Sequence, residues 1–153
     1  MLLSRSFAVR AGLVAIAITL VGCQTFDRTE LVASHAPTEL PPAAASAIAG
    51  DMVSRFTEHV GPGSTTIHLA PDSSAFGQAL ETSLKGWGYA VVTDQTADGK
   101  ATVSLAYVVE NYEGSVLARL STKTFDLGRV YQLTPTGASP SSPISLLQRG
   151  GAT

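Results

Sequence analysis

The stretch that most limits what this chain can fold into is AGLVAIAITL, residues 11–20, an uncharged apolar run of ten with Arg5 and Arg10 before it. As a helix it rises about 15 Å, half of a bilayer core of about 30 Å. It is too short for a comfortable span, and burying it as a core helix would set the adjacent arginines beside that core. A positive start leading into a short apolar run is the pattern of a signal peptide. Residues 1–22 are therefore read as a leader, and the fold must be built from residue 23 onward. That residue, Cys23, is the single cysteine of the chain. A lone thiol in an exported protein has no internal disulfide partner, so it needs another purpose.

The four residues Leu20-Val21-Gly22-Cys23 supply one. They resemble a bacterial lipobox, in which the cysteine sulfur takes a diacylglyceryl group and a peptidase cuts before it. The residue types suit that chemistry: Gly22 opens the bond to a protease, and a thiolate is the nucleophile that thioether formation needs. Each buried methylene of an acyl chain contributes about 0.8 kcal/mol, so two or three chains hold a protein durably at a membrane. Cys23 is thus the expected lipid-attachment site; the alternative is an ordinary signal peptide with an incidental cysteine. Gln24 stands where enterobacterial lipoproteins retained in the inner membrane carry Asp, which points by resemblance to the outer membrane, facing the periplasm. Residues 24–42 contain three prolines and no sustained period, and with Cys23 they read as a flexible tether over 23–42. Phe26, Leu31 and Val32 could instead anchor this stretch on a partner.

The domain proper is expected over 43–134. In residues 43–60 Ile48, Met52, Phe56 and Val60 recur every four positions, the spacing of one helix face, and Gly61-Pro62-Gly63 stops it. Residues 65–70, TTIHLA, alternate as a short strand. Asp72 is a candidate N-cap for a second helix whose face carries Phe76, Leu80, Ser83, Leu84 and Trp87, with Gly86 or Gly88 ending it. A strand comes next at 89–92, then a loop at 94–99. Val103, Leu105, Tyr107 and Val109 alternate on one strand, and Val116, Ala118 and Leu120 answer across a turn at 111–114. Residues 129–134 read as a last strand, and the Pro-, Ser- and Gly-rich stretch 135–153 reads as a disordered tail. The order α-β-α-β-β-β-β predicts a small α+β domain, two helices on one face of a mixed sheet.

Little in this pattern looks like chemistry. The formal charge is -2, and -4 once residues 1–22 are removed, so no basic footprint points to nucleic acid. No Gly-x-Ser-x-Gly elbow is present. His35, His59 and His68 fall in the tether, at a helix end and on a strand, without metal-ligand spacing. His59 reads as a partner of the helix dipole and His68 as a solvent-facing strand residue. Glu110 and Glu113 flank a turn, where acids are usually only solvated. Trp87, between Gly86 and Gly88, reads as core, with an exposed interface anchor as the alternative. No catalytic residue, cofactor, metal or small-molecule substrate is expected. A competing function, binding or hydrolysing an envelope glycan such as peptidoglycan, would need a cleft; Tyr107, Tyr112, Glu110 and Glu113 are the raw material for one.

The lipobox LVGC, the segment DSSAFGQALETSLKGWGYAVV (72–92) and the later YVVENYEGSVLARLS (107–121) and RVYQLTPTG (129–137) together resemble the TrbH family, lipoproteins of conjugative transfer systems. The shared elements are F-G-x-x-L, G-Y-A-V and R-x-Y, and the likeness covers most of the chain. It implies a non-enzymatic, structural part in mating-pair formation, the type IV secretion channel that moves plasmid DNA. Implied partners are other subunits of that channel and the membrane, through the lipid on Cys23. Direct nucleic-acid binding is not implied.

Overall fold

The structure, a computed structural model, describes residues 33–37, 39–93 and 102–150. The leader, Cys23, Phe26, Leu31 and Val32 lie outside the described residues. Two helices, α1 (Pro42–Phe56) and α2 (Ala75–Gly86), accompany seven strands. In chain order the strands are β1 (Thr66–Leu69), β2 (Ala90–Val92), β3 (Thr102–Tyr112), β4 (Ser115–Ser121), β5 (Phe125–Thr134), β6 (Gly137–Pro140) and β7 (Ser145–Gln148). They form one mixed sheet in the order β2-β1-β3-β4-β5-β6, with β7 also on β5. β1 lies parallel to β2 and β3; the rest of the sheet is antiparallel. The α+β class expected from the sequence is the class observed.

Periodicity explains the layering. Ile48, Met52 and Phe56, with Ala45, Ala49 and Val53, are fully buried along one side of α1, as a stripe at helical spacing must be to leave water. Phe76, Leu80 and Leu84 do the same for α2. Ile67, Leu69, Leu105, Tyr107, Val109, Val116, Ala118, Leu120, Leu127 and Tyr131 alternate on the strands and meet the helices in one core. Each such large side chain contributes about 1.5–3 kcal/mol by leaving water. The alternate residues, among them His68, Ser104, Val108, Leu117 and Val130, line the other face of the sheet. No helix of the described residues covers that face.

Four local details differ from the sequence reading. α1 begins on Pro42 and ends at Phe56; residues 57–60 continue as turns, with Val60 N–H bonded to Phe56 O at 2.9 Å. Ser74, not Asp72, caps α2, because its Oγ accepts from Gly77 N–H at 3.1 Å. Trp87 is 47% exposed rather than core. It is the C-cap of α2, and Gly88 at φ +92° then turns the chain so that Tyr89, 4% exposed, takes the core position against Phe56. Finally, β3 and β4 join through Glu113 (φ 47°) and Gly114 (φ 80°), a two-residue turn with both φ positive that matches the twist of the strands.

The largest departures are at the two ends. Part of the stretch read as a tether is docked: His35 bridges Val108 in parallel, with His35 N–H to Tyr107 O and Val109 N–H to His35 O both at 2.9 Å. Ala36 and Leu40 are buried in the core. The stretch read as a disordered tail holds β6 and β7, which pair with the two halves of one edge of β5. Their register on β5 shifts by two residues at 141–144, where Arg129 Nε and Val130 N–H bond Ser142. Pro140 and Pro143 are tolerated there because an edge strand needs hydrogen bonds on one side only.

Candidate functional site

β1 is short, and after Leu69 the chain turns away toward α2. The edge of β3 that β1 leaves open is filled by His35 and its neighbours, and Asp72 locks the junction. Its Oδ2 accepts from Ala36 N–H at 2.8 Å. Its Oδ1 accepts from Tyr107 O–H at 2.6 Å, from Ser74 N–H at 3.1 Å and from the Ser74 hydroxyl. The Tyr107 oxygen in turn accepts from Asp72 N–H at 2.9 Å. One carboxylate thereby joins the N-terminal segment, the cap of α2 and the centre of β3. Burial pushes the Asp72 pKa up, but the bonds from Ser74, Tyr107 and the Ala36 and Ser74 amides outweigh it and hold it below 3.8. Tyr107 is pushed up to about 12, by burial first and then by its bond to Asp72. Gly77 is required beside this pair: a Cβ there would fall well inside contact distance of the Tyr107 hydroxyl.

A second junction ties α1 to the far side of the sheet. Arg129 Nη1 donates to Asp51 Oδ2 at 2.9 Å and Oδ1 at 3.2 Å, and Tyr131 O–H donates to Oδ2 at 2.6 Å. Burial, then the bond to Asp51, raises the Tyr131 pKa. A third, Arg149 to Asp126 at 2.7 and 3.1 Å, is a two-pronged pair that fastens the end of β7 to β5. All three networks are satisfied inside the fold. Their donors and acceptors hold elements together.

The residues singled out from the sequence do not converge. His35 acts through its backbone, and its side chain is exposed. His59 stands three residues past the end of α1, where its N–H bonds Phe56 O at 3.0 Å, and its ring lies 5.3 Å from that of Phe125. His68 is half-buried on the sheet face opposite the helices, with Ala70, Ser104 and Ala106 in a shallow hollow of about 300 Å³. Its Nε2 is buried and meets no hydrogen-bond partner among the described residues. Among the described residues no three His, Cys, Asp or Glu side chains gather as metal ligands do. Tyr107 points into the core while Tyr112, 73% exposed, stands at the tip of the β3–β4 hairpin with Glu110 and Glu113 exposed near it. The four residues that a glycan cleft would have used thus form no cleft. Sequence reasoning misses the Asp72 and Asp51 networks because each pairs residues far apart in the chain; by local pattern alone Asp72 is only a cap.

Such a molecule is a small α+β module in which the polar networks at Asp72, Asp51 and Asp126 tie helices, strands and the N-terminal segment to one another. No helix of the described residues is long and apolar enough to cross a membrane. Residues 26–150 match the family described as "Conjugal transfer protein TrbH". The chain is also 50% identical over 141 residues to "Probable conjugal transfer protein TrbH" of Sinorhizobium fredii, covering 89% of this chain and 94% of that protein. The chain belongs to the TrbH family of conjugal transfer proteins. No solved structure matches it.

Proposed function

We propose that this chain is a lipid-anchored, non-catalytic component of a mating-pair-formation apparatus. It would be held by acyl chains on Cys23 at the outer membrane, facing the periplasm, and would support assembly of the channel that moves plasmid DNA. The observation that carries the reading is one of position: the family match begins at residue 26, three residues past the lipobox cysteine. Family membership supports the role in transfer, and the LVGC motif after a short apolar run supports the anchor. With His35 docked on β3, ten residues of chain separate Cys23 from Ala33, a reach of at most about 35 Å. That is a much shorter leash than the sequence reading of 23–42, and it would keep the domain close to the membrane. Its partners would be neighbouring channel subunits met on the outside of the fold.

Two measurements test the reading separately. Deleting the gene should lower transconjugant counts, and the intact copy should restore them; unchanged transfer sinks the assembly role. Cys23→Ser should abolish incorporation of labelled palmitate and leave the leader uncut. A Cys23→Ser chain that still takes up palmitate removes the anchor while leaving family membership untouched.

A further inference from the structure

The sheet ends at β7, and that edge is unusual for a chain with so few exposed apolar groups. Of the five large hydrophobic side chains that stand exposed among the described residues, three are Ile144, Leu146 and Leu147. All of β7 is exposed. Arg149 N–H bonds Thr124 O, so the alternation of an antiparallel ladder turns the backbone groups of Ser145 and Leu147 toward β5. The N–H and C=O of Leu146 and Gln148 then point outward, where no other strand of the described residues lies. Edge strands are normally blunted by charge, proline or a cover. Pro140 and Pro143 protect the upstream half of this edge, but 144–148 carries neither charge nor proline.

We propose that β7 is the contact strand of a symmetric dimer, in which its free edge pairs antiparallel with the same edge of a second copy of this chain. Outward N–H and C=O groups are satisfied by a strand, which separates this surface from one that receives a helix or a lipid face. The dimensions suit a copy. A two-fold axis through Leu147 sets Leu146 and Gln148 opposite Gln148 and Leu146 of the second copy, each a hydrogen-bonded pair. It sets Leu147 against Leu147 in a non-hydrogen-bonded pair, where side chains approach most closely. Ser145 faces Arg149, whose guanidinium is already held by Asp126, so no like charges are opposed. Pro143 of each copy falls outside the paired stretch. A longer foreign strand would run on to Pro143 and Pro140, which have no N–H to offer. The two-fold axis runs perpendicular to the sheet, so the two helix layers lie on the same side of the joined sheet. The contact is small for a protein interface, so the dimer is weak and concentration-dependent.

The test uses the full chain in cells, with Leu147→Cys added and a short bismaleimide as the cross-linker. Two differently tagged copies are expressed together, so that an adduct of two chains carries both tags. The parent chain, which keeps Cys23, and Tyr112→Cys at the exposed hairpin tip are the controls. The expected result is a doubly tagged adduct from Leu147→Cys alone. Adding Leu146→Glu, a charge at the edge that leaves the core intact, should lower its yield roughly fivefold or more. Absence of that adduct, an adduct with a different polypeptide, equal yield from Tyr112→Cys, or no response to Leu146→Glu overturns the proposal.

Discussion

Replacing Asp72 with alanine should be the most damaging single change at the polar junctions. The side chain accepts from four donors, namely Ala36 N–H, Ser74 N–H, the Ser74 hydroxyl and the Tyr107 hydroxyl. A hydrogen bond to a charged group contributes about 1.5–3 kcal/mol, and a donor left buried costs about 1–3 kcal/mol. The Ser74 groups can re-bond locally or to water, but the Tyr107 ring is fully buried and its hydroxyl loses the carboxylate that accepts its proton. Because such bonds are not additive, the net loss for Asp72→Ala should be about 3 kcal/mol. At a urea m-value of about 1.5 kcal/mol/M, the midpoint falls by about 2 M. Far-UV circular dichroism is the suitable probe, since the single tryptophan, Trp87, is half-exposed already. Tyr107→Phe should lose less, and the double variant should show a coupling of about 1–2 kcal/mol. Acid should weaken the junction. The Asp72 pKa is depressed in the folded state, so its contribution is complete above the unfolded value near 3.8 and is lost as pH falls through the lower folded value. Asp72→Ala should lack that component of the acid transition. A midpoint within about 0.3 M of the parent, or fully additive losses with Tyr107→Phe, would refute the idea that this carboxylate holds the junction.

Other changes test the remaining contacts. Gly77→Ala should destabilise by about 1–3 kcal/mol in urea titrations through overpacking, and Tyr107→Phe should recover part of that by removing the hydroxyl the new Cβ would meet. Arg129→Ala removes one of the two β5 ties to Asp51 of α1, leaving the one from Tyr131, and frees Ser142 O, so a loss of about 1–3 kcal/mol is expected by the same assay. Trp87→Ala should shift the thermal midpoint little, within about 1 kcal/mol, because the side chain is a half-exposed cap; a loss above about 3 kcal/mol would mean it is core after all. Glu113→Asn should raise stability by about 0.5–1 kcal/mol, since asparagine tolerates the positive φ of the hairpin turn better than glutamate does.

Much of the fold was legible in the chain because it is written in local periods. Ile48, Met52 and Phe56 repeat at helical spacing, and Val103, Leu105, Tyr107 and Val109 at strand spacing, so each segment announces both its type and its buried side. Boundaries were less legible. Whether Asp72 or Ser74 caps α2 depends on which oxygen finds Gly77 N–H, and both residues are good caps on paper. Trp87 shares a helical face with Leu84 and Leu80, yet the helix stops under it, and Gly88 hands the core position to Tyr89.

By itself, then, the sequence determined the α+β class, the two helices, five of the strands, and the motif at Cys23 on which an anchor rests. Only the tertiary structure decided the ends. The stretch 135–153 is polar and broken by prolines, with no period of its own, because an edge strand can be held by its neighbour's backbone rather than by its own side chains. Docking of His35 on β3 is of the same kind: the gap it fills exists only because β1 is shorter than β3. The Asp72–Tyr107 and Asp51–Arg129 pairs are 35 and 78 positions apart, and no local pattern links residues at that separation. Local spacing records which side chains avoid water; which backbone edges and charges meet is set by how the packed layers come together.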